Sequence, residues 1–237
     1  MKLCLLLVVL YGVCRTGYAQ NISTFDYRIK RGTLIWDTLK NYEVRRDLCQ
    51  IPNNVIGNMT TLELLNSVLD YPLLADAFIF NNYQEGVDKI VTTFYALDSL
   101  LKRQDIKSVC ISVYNNYHPN EINSYKEILG MATFMFKMNF LELLIAQKEI
   151  YSDFTIDEKN TILSLLVKNY YDKKMLLDKF DNWGLSTIGW ASCRICNIDV
   201  ILKNNTPSGK KYIDSGYTIN IEALDEIMIR ATTQIKL

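Results

Sequence analysis

The chain has 237 residues, with 26 Lys and Arg against 26 Asp and Glu, and 49% of its residues are apolar. This balanced charge gives no electrostatic reason to expect nucleic acid or an anionic membrane surface as a partner. With only ten glycines and four prolines, and without repeats or Ser/Gly linkers, the chain is neither disordered nor of low complexity, and it can bury a sizeable core.

The first nineteen residues are typical of a cleavable secretory signal. Lys2 precedes an apolar run from Leu3 to Val13, and Gly17 and Ala19 place small residues where a signal peptidase prefers them. We therefore expect cleavage after Ala19 and a secreted protein. A membrane anchor is the competing interpretation, but this run is too short to span a bilayer and no later run reaches the required length, so we expect no transmembrane segment.

Helix signals begin after the Gly32 break. Residues 33–42 have an amphipathic pattern, whereas the Asn and Gly content of residues 53–58 favours a loop. Thr60 and Glu63 have the spacing of a capping box, which predicts a helix over residues 62–70. Asn82 and Glu85 repeat this signal before a run that continues at helical spacing. That run consists of Val87, Ile90, Val91, Phe94, Leu97, Leu100 and Leu101.

The stretch LLNSVLDYPLLADAF, followed by NNYQEGVDKIVTTFYALDSLLKRQD, resembles the helical region of uncharacterised, mainly bacterial exported proteins. In some of those proteins the helical region precedes a strand that starts with a TP-G motif and then a papain-like cysteine hydrolase domain with an Asn-Cys-His motif. Residues 206–209, TPSG, resemble that strand start. Only 28 residues follow Gly209, and none is Cys or His, so the resemblance does not extend to the catalytic domain.

Two long helices are predicted in the second half of the chain. Apolar residues cover most of a helix over residues 121–151, and a second capping box, Thr155 with Glu158, opens another helix that extends to about residue 181. From Trp183 the pattern changes. Residues 198–202 favour a short strand, residues 211–214 or 217–219 are its candidate partner, and residues 221–234 favour a final helix.

These patterns predict an all-α, multi-helix bundle with long central helices and a small C-terminal hairpin-like appendage. The expected organisation is a signal peptide over residues 1–19, a helical domain over residues 20–182, and an appendage over residues 183–237 that packs on the helical domain.

Catalytic, metal and cofactor motifs are not recognisable in the sequence. His118 is the single histidine and lies in a polar turn, whereas serine and cysteine hydrolases use a histidine base. The CxxC pair Cys193 and Cys196 is half of a structural zinc site and lacks the surroundings of a thioredoxin-like centre. We therefore predict no catalytic residue, no metal and no cofactor.

The predicted modification sites are cysteines and asparagines. In an oxidising compartment we expect Cys49, Cys110, Cys193 and Cys196 to be oxidised, with at least one disulfide joining the CxxC region to the helical body through Cys49 or Cys110. A bridge between Cys193 and Cys196 is the alternative. The acceptor pattern for N-glycans occurs at Asn21, Asn58 and Asn204.

Two functional hypotheses follow from the sequence. The first is a secreted, non-catalytic helical protein, either an extracellular binding component or a matrix-associated one, with an unknown extracellular partner. The alternative is a remnant or relative of an exported cysteine hydrolase that lacks the catalytic domain, and it depends only on the resemblance. A cysteine or histidine in a cleft with perturbed protonation would favour the second hypothesis.

Overall fold

A computed structural model describes residues 24–198 and 209–235. Over these ranges the chain forms thirteen α-helices and two short 3-10 helices, and it contains no β-strand. The all-α multi-helix bundle predicted from the sequence is confirmed.

The N-terminal part wraps around the bundle. Residues 24–31, called the arm here, have no regular secondary structure, but the hydroxyl of Tyr27 donates to the carbonyl of Ser67 at 2.8 Å, which fixes the arm on the body. Three short helices follow: α1 (Leu34–Thr38), α2 (Tyr42–Leu48) and α3 (Asn53–Asn58). The single helix expected over residues 33–42 is therefore broken, and the loop expected over residues 53–58 is helical, because Ile56 is drawn into the core.

The next helices carry the predicted caps. They are α4 (Thr61–Leu69), α5 (Tyr83–Thr93), α6 (Tyr95–Leu101) and α7 (Ile106–Asn115), with a 3-10 helix at Leu74–Phe78 between α4 and α5. Thr60 and Glu63 form both hydrogen bonds of the capping box, and the Asn82 side chain accepts from the Glu85 amide at 2.8 Å.

Phe94 breaks the long helix that the apolar run predicts. Its backbone is extended, with φ of −129° and ψ of 97°, and its ring is fully buried against Tyr71, with ring centroids 3.8 Å apart. This stacking joins the α5–α6 junction to the segment that follows α4.

The second half is built around three longer helices. After a 3-10 helix at Pro119–Ser124 come α8 (Ile128–Ile145), α9 (Lys148–Tyr151), α10 (Ile156–Lys174) and α11 (Leu177–Cys196). The helix predicted over residues 121–151 is shorter because the backbone is extended at Tyr125, Glu127 and Gln147. The capping box of Thr155 and Glu158 is confirmed at the start of α10.

α11 packs against α8, α10 and α13 (Ile221–Gln234), and it is kinked at Asp181, with a φ of 55°, next to the expected domain boundary at residues 182 and 183. Its Gly189 permits the close approach of α13, since a Cβ atom there would lie 2.4 Å from a methyl carbon of Leu224. The residues beyond the boundary contribute Trp190 and Tyr212 to the same core as the helices before it.

The C-terminal elements differ from the expected hairpin. Residues 211–214, a candidate strand partner, belong to helix α12 (Gly209–Ser215), because burial of Tyr212 on α11 outweighs the weak strand pattern. Most of the expected strand over residues 198–202 lies outside the described residues. The predicted final helix is confirmed as α13, with its predicted buried face. That face consists of Leu224, Ile227, Met228 and Ala231.

Candidate ligand-binding groove

Two adjoining cavities flank the exposed first half of α8. The first has a volume of about 480 Å³ and lies between α8 and the arm, and the second has a volume of about 530 Å³ and lies between α8 and residues 116–127. Leu129, Thr133 and Lys137, spaced one turn apart, line both cavities. We call the two the arm cavity and the tyrosine cavity, and together the α8 groove.

The arm cavity has a largely apolar surface. Phe25 and Tyr27 of the arm form one wall, and Ala132 and Phe136 of α8 form the opposite wall. Residues from the end of α4 to the start of the following 3-10 helix line its base. They are Leu69, Tyr71, Pro72 and Leu74.

The charged groups at the rim of the arm cavity are paired with one another. Arg31 reaches the carboxylate of Asp76 at 2.7 Å and also donates from Nε to the carbonyl of Pro72 at 2.6 Å. Lys30 pairs with Asp26 at 2.6 Å. The contacts of Arg31 hold the arm against the segment after α4, whereas the pair of Lys30 and Asp26 lies within the arm.

The tyrosine cavity contains three aromatic rings and two carboxylates. The ring of Tyr117 stacks on that of Phe134 with centroids 5.8 Å apart, and the ring of Tyr125 lies 5.5 Å from Phe134 on a tilted plane. Glu121 and Glu127 line the same cavity, and both residues are exposed. The fit of Tyr125 against α8 depends on Gly130, because a Cβ atom there would lie 2.9 Å from the tyrosine ring.

Lys137 stands where the two cavities meet. Its ammonium group forms an ion pair with Asp70 at the end of α4. The pKa of Tyr117 is raised to about 12. Burial is the largest cause, and the nearby Asp70, Tyr125 and Glu121 add to it. The tyrosine cavity therefore has electronegative surroundings even though a lysine lies at its edge.

A second polar cluster lies in the closed interior of the bundle. Lys173 of α10 contacts both carboxylate oxygens of Glu142 of α8, at 2.8 and 2.9 Å, and neither side chain has any exposed surface. Tyr114 and Thr187 also donate to this carboxylate, so the cluster joins four helices.

Burial controls the protonation of this pair. It raises the pKa of Glu142 and lowers that of Lys173, while their mutual attraction opposes both shifts. Asn139 accepts from Lys173 at 2.6 Å, but its Nδ2 is buried without a hydrogen-bond partner among the described residues. Neither cavity of the α8 groove is lined by these residues, so the cluster organises the core and does not meet a ligand in the groove.

The predicted disulfides are absent. Cys49, Cys110, Cys193 and Cys196 are all buried, and the structure contains no disulfide among them. Cys193 and Cys196 lie on α11 within the core, while Cys110 belongs to the apolar face of α7. In this structure the four side chains pack as small apolar groups, and the bridge from the CxxC region to the body stays a prediction.

The thiols lie in environments that oppose ionisation. Burial raises the pKa of Cys49 and of Cys110 to about 12, and that of Cys196 to about 11. His118, by contrast, is exposed at the start of the 3-10 helix at Pro119–Ser124, where its amide donates to Glu121 at 3.3 Å.

Of the three predicted glycan acceptors, only Asn58 belongs to the described residues. It is exposed at the end of α3, and its Nδ2 donates to the carbonyl of Asn54 at 2.8 Å. The hydroxyl of Thr60, the third residue of the acceptor pattern, caps α4. Asn21 and Asn204 lie outside the described residues.

Metal ligands do not cluster in the described ranges 24–198 and 209–235, where no group of three or more His, Cys, Asp or Glu side chains is suited to hold a metal ion. In the same ranges, α8 is long and apolar enough to cross a membrane by length and composition, with a mean hydropathy of 1.6, and half of it is buried. One such helix is weak evidence for a membrane span, since the mostly buried core helix of a soluble protein passes the same test.

Sequence reasoning missed the α8 groove. The three methionines on this helix, Met131, Met135 and Met138, line neither cavity, and Met138 is fully buried. The available signal was the apolar pattern on all sides of α8, because Ile128 and Leu129 remain exposed on it. Comparison with family models, curated proteins and solved structures finds no match to this chain.

Proposed function

We propose that the protein is a secreted, non-catalytic helical glycoprotein that binds a small amphipathic ligand in the α8 groove. The signal pattern of residues 1–19 supports secretion, and the exposed Asn58 supports a glycan on the mature protein. This function makes the chain an extracellular binding component, without a membrane-spanning segment and without a nucleic-acid partner.

The observation that carries this proposal is the pair of adjoining cavities on α8. Volumes of about 480 and 530 Å³ fall within the range of roughly 300 to 1,000 Å³ that is typical of small-molecule sites. Such sites combine an apolar lining with a few charged groups, as the arm cavity does. A ligand with an apolar chain and a polar end matches this combination.

Thiol catalysis is disfavoured by the surroundings of the cysteines, so the alternative, a remnant or relative of an exported cysteine hydrolase, depends only on the resemblance. A cysteine nucleophile reacts as the thiolate and needs a lowered pKa, whereas burial raises the pKa of Cys49, Cys110 and Cys196. The Glu142 and Lys173 pair is closed to solvent and gives a substrate no access. We therefore favour binding over catalysis.

The groove is tested with Nile red, whose fluorescence rises in apolar surroundings. Wild-type protein should bind the dye saturably, and Ala132→Trp should abolish this binding because the indole fills the arm cavity. Met175→Trp is the matched control, since Met175 is 85% exposed and lines neither cavity. The proposal fails if the dye does not bind, or if it binds Ala132→Trp as well as wild type.

Secretion is tested separately on protein from the culture medium of a eukaryotic host. N-terminal sequencing should begin at Gln20, and enzymatic deglycosylation should lower the mass. Asn58→Gln should remove one glycan without disturbing the cap at Thr60. An intracellular protein that begins at Met1 would refute secretion, and a mass unchanged by deglycosylation would refute the glycans.

A further inference from the structure

We propose that the tyrosine cavity binds the quaternary ammonium head of a cationic amphiphile, whose apolar chain passes over Leu129 into the arm cavity. This inference rests on the proposed function, because it requires the α8 groove to be a ligand site. It adds the chemical class of the ligand and its direction in the groove.

The aromatic wall of the tyrosine cavity is suited to a cationic head. Tyr117 stacks on Phe134 and Tyr125 lies tilted against Phe134, with centroids 5.8 and 5.5 Å apart, and all three residues line the cavity. The faces of such rings attract cations, and quaternary ammonium groups are well suited to them because they are large and weakly hydrated. Tyr125 is 41% exposed, so its ring is accessible to a ligand that enters from solvent.

The acidic side chains around this wall also favour a cationic head. Glu121 and Glu127 line the cavity, and among the residues that the structure describes Lys137 is the single basic side chain that lines it. The charge of Lys137 is offset by its ion pair with Asp70, which leaves the two glutamates as the uncompensated charges of the lining. Burial is the first cause of the raised pKa of Tyr117, and Glu121 is among the charges that add to it. A cationic head is therefore favoured over an anionic one.

The exposed cations of the arm cavity are already paired, so this cavity does not favour an anionic head. Its two exposed cations are already bound to acidic partners: Lys30 to Asp26 at 2.6 Å and Arg31 to Asp76 at 2.7 Å. An anion there would have to displace a carboxylate. The apolar walls formed by Phe25 and Phe136 suit a hydrocarbon chain instead.

The direction of the ligand follows from the residues that both cavities share. Leu129 and Thr133 line the arm cavity and the tyrosine cavity, so a chain that leaves the aromatic wall passes over them without crossing a core helix. Leu129 is 59% exposed and presents an apolar surface at this passage. A ligand with its ammonium head in the tyrosine cavity and its apolar chain in the arm cavity would therefore cover Leu129.

The test compares three ligands with the same ten-carbon chain and different heads: decyltrimethylammonium, decanoate and decanol, each well below its micelle concentration. Isothermal titration calorimetry on wild-type protein should show decyltrimethylammonium binding at least tenfold more tightly than decanoate. Glu127→Gln and Tyr125→Leu should each reduce that preference about threefold or more. Glu149→Gln, an exposed carboxylate outside the groove, is the matched control and should leave the preference unchanged.

The outcomes separate this inference from the proposed function. Equal affinity for the three ligands, or tighter binding of decanoate, overturns the ammonium assignment while the groove remains a ligand site. Absence of binding by all three overturns the proposed function as well. A preference that persists in Glu127→Gln and Tyr125→Leu alike, with both variants folded by circular dichroism, overturns the placement of the head at the aromatic wall. Glu127 is exposed, so its variant keeps the test valid even if Tyr125→Leu does not fold.

Discussion

Lys173 and Glu142 form an ion pair that is wholly excluded from solvent, with the lysine Nζ 2.8 Å from one carboxylate oxygen and 2.9 Å from the other. The lysine also donates to Asn139 and to the carbonyl of Gly184, so its three hydrogens have four acceptors. This pair joins α8 to α10 at the centre of the bundle. Removing one partner would leave an uncompensated charge in the core.

Glu142→Gln and Lys173→Met should therefore each lower the free energy of unfolding by about 3 to 5 kcal/mol. The double variant Glu142→Gln/Lys173→Met should lose much less than the sum, because it buries no charge and the glutamine oxygen still accepts from Tyr114. Urea unfolding followed by circular dichroism measures all three. Additive losses, or single losses below about 1 kcal/mol, would contradict this description of the core.

The described cysteines should behave as protected thiols. Burial raises the pKa of Cys49, Cys110 and Cys196, so the thiolate that reacts with a disulfide reagent is scarce at pH 8. The folded protein should react slowly with Ellman's reagent, and the four cysteines of the mature chain should react after denaturation in guanidinium. Fewer than four reactive thiols in the denatured, unreduced protein would show that a disulfide is present.

Stability should fall at alkaline pH. Burial raises the pKa of Tyr83 and Tyr117 from 10.0 to about 12, so these phenols ionise at lower pH in the unfolded chain than in the folded one. Their contribution to stability is complete below pH 10 and is lost as the pH rises through 12. The urea midpoint should therefore decrease between pH 9 and pH 11. A midpoint unchanged over this range would refute the burial of these rings.

Two glycines give a matched test of close packing. A Cβ atom at Gly86 would lie 1.7 Å from the carbonyl oxygen of Ala77, whereas one at Gly57 would meet nothing within 4 Å. Gly86→Ala should cost about 3 kcal/mol or more, since α5 must move away from the 3-10 helix at Leu74–Phe78. Gly57→Ala should stay within about 1 kcal/mol of wild type, on the stabilising side. Similar urea midpoints for both variants would contradict the close approach.

Local signals in the sequence predicted local structure well. The capping boxes at Thr60 and Thr155 and the buried face of α13 depend on residues three or four positions apart, which a sequence displays directly. The break at Phe94 depends on stacking against Tyr71, 23 positions earlier in the chain. A prediction from periodicity alone therefore continues the helix through Phe94. The helical structure around Tyr212 also depends on a distant contact, because the hydroxyl of Tyr212 donates to the carbonyl of Ser186 on α11 at 3.0 Å.

The candidate site was not predictable in the same way. The arm cavity forms between residues 24–31, the segment after α4 and the first half of α8, and no local pattern links these three segments. The disulfide prediction was based on the expected compartment and not on geometry, whereas in the structure the four cysteines pack in the core without a bridge. Function is the part for which the sequence contained the least information.

Photolabelling is the most direct test of the claim that the α8 groove binds an amphipathic ligand. A decyltrimethylammonium analogue with a diazirine in its chain, irradiated with the purified protein, should label peptides that contain residues 24–31 and 128–137. Excess unlabelled decyltrimethylammonium should suppress the labelling, and Ala132→Trp should remove it. Label distributed over α10 and α13, or label in the groove that competitor does not reduce, would contradict a specific site on α8.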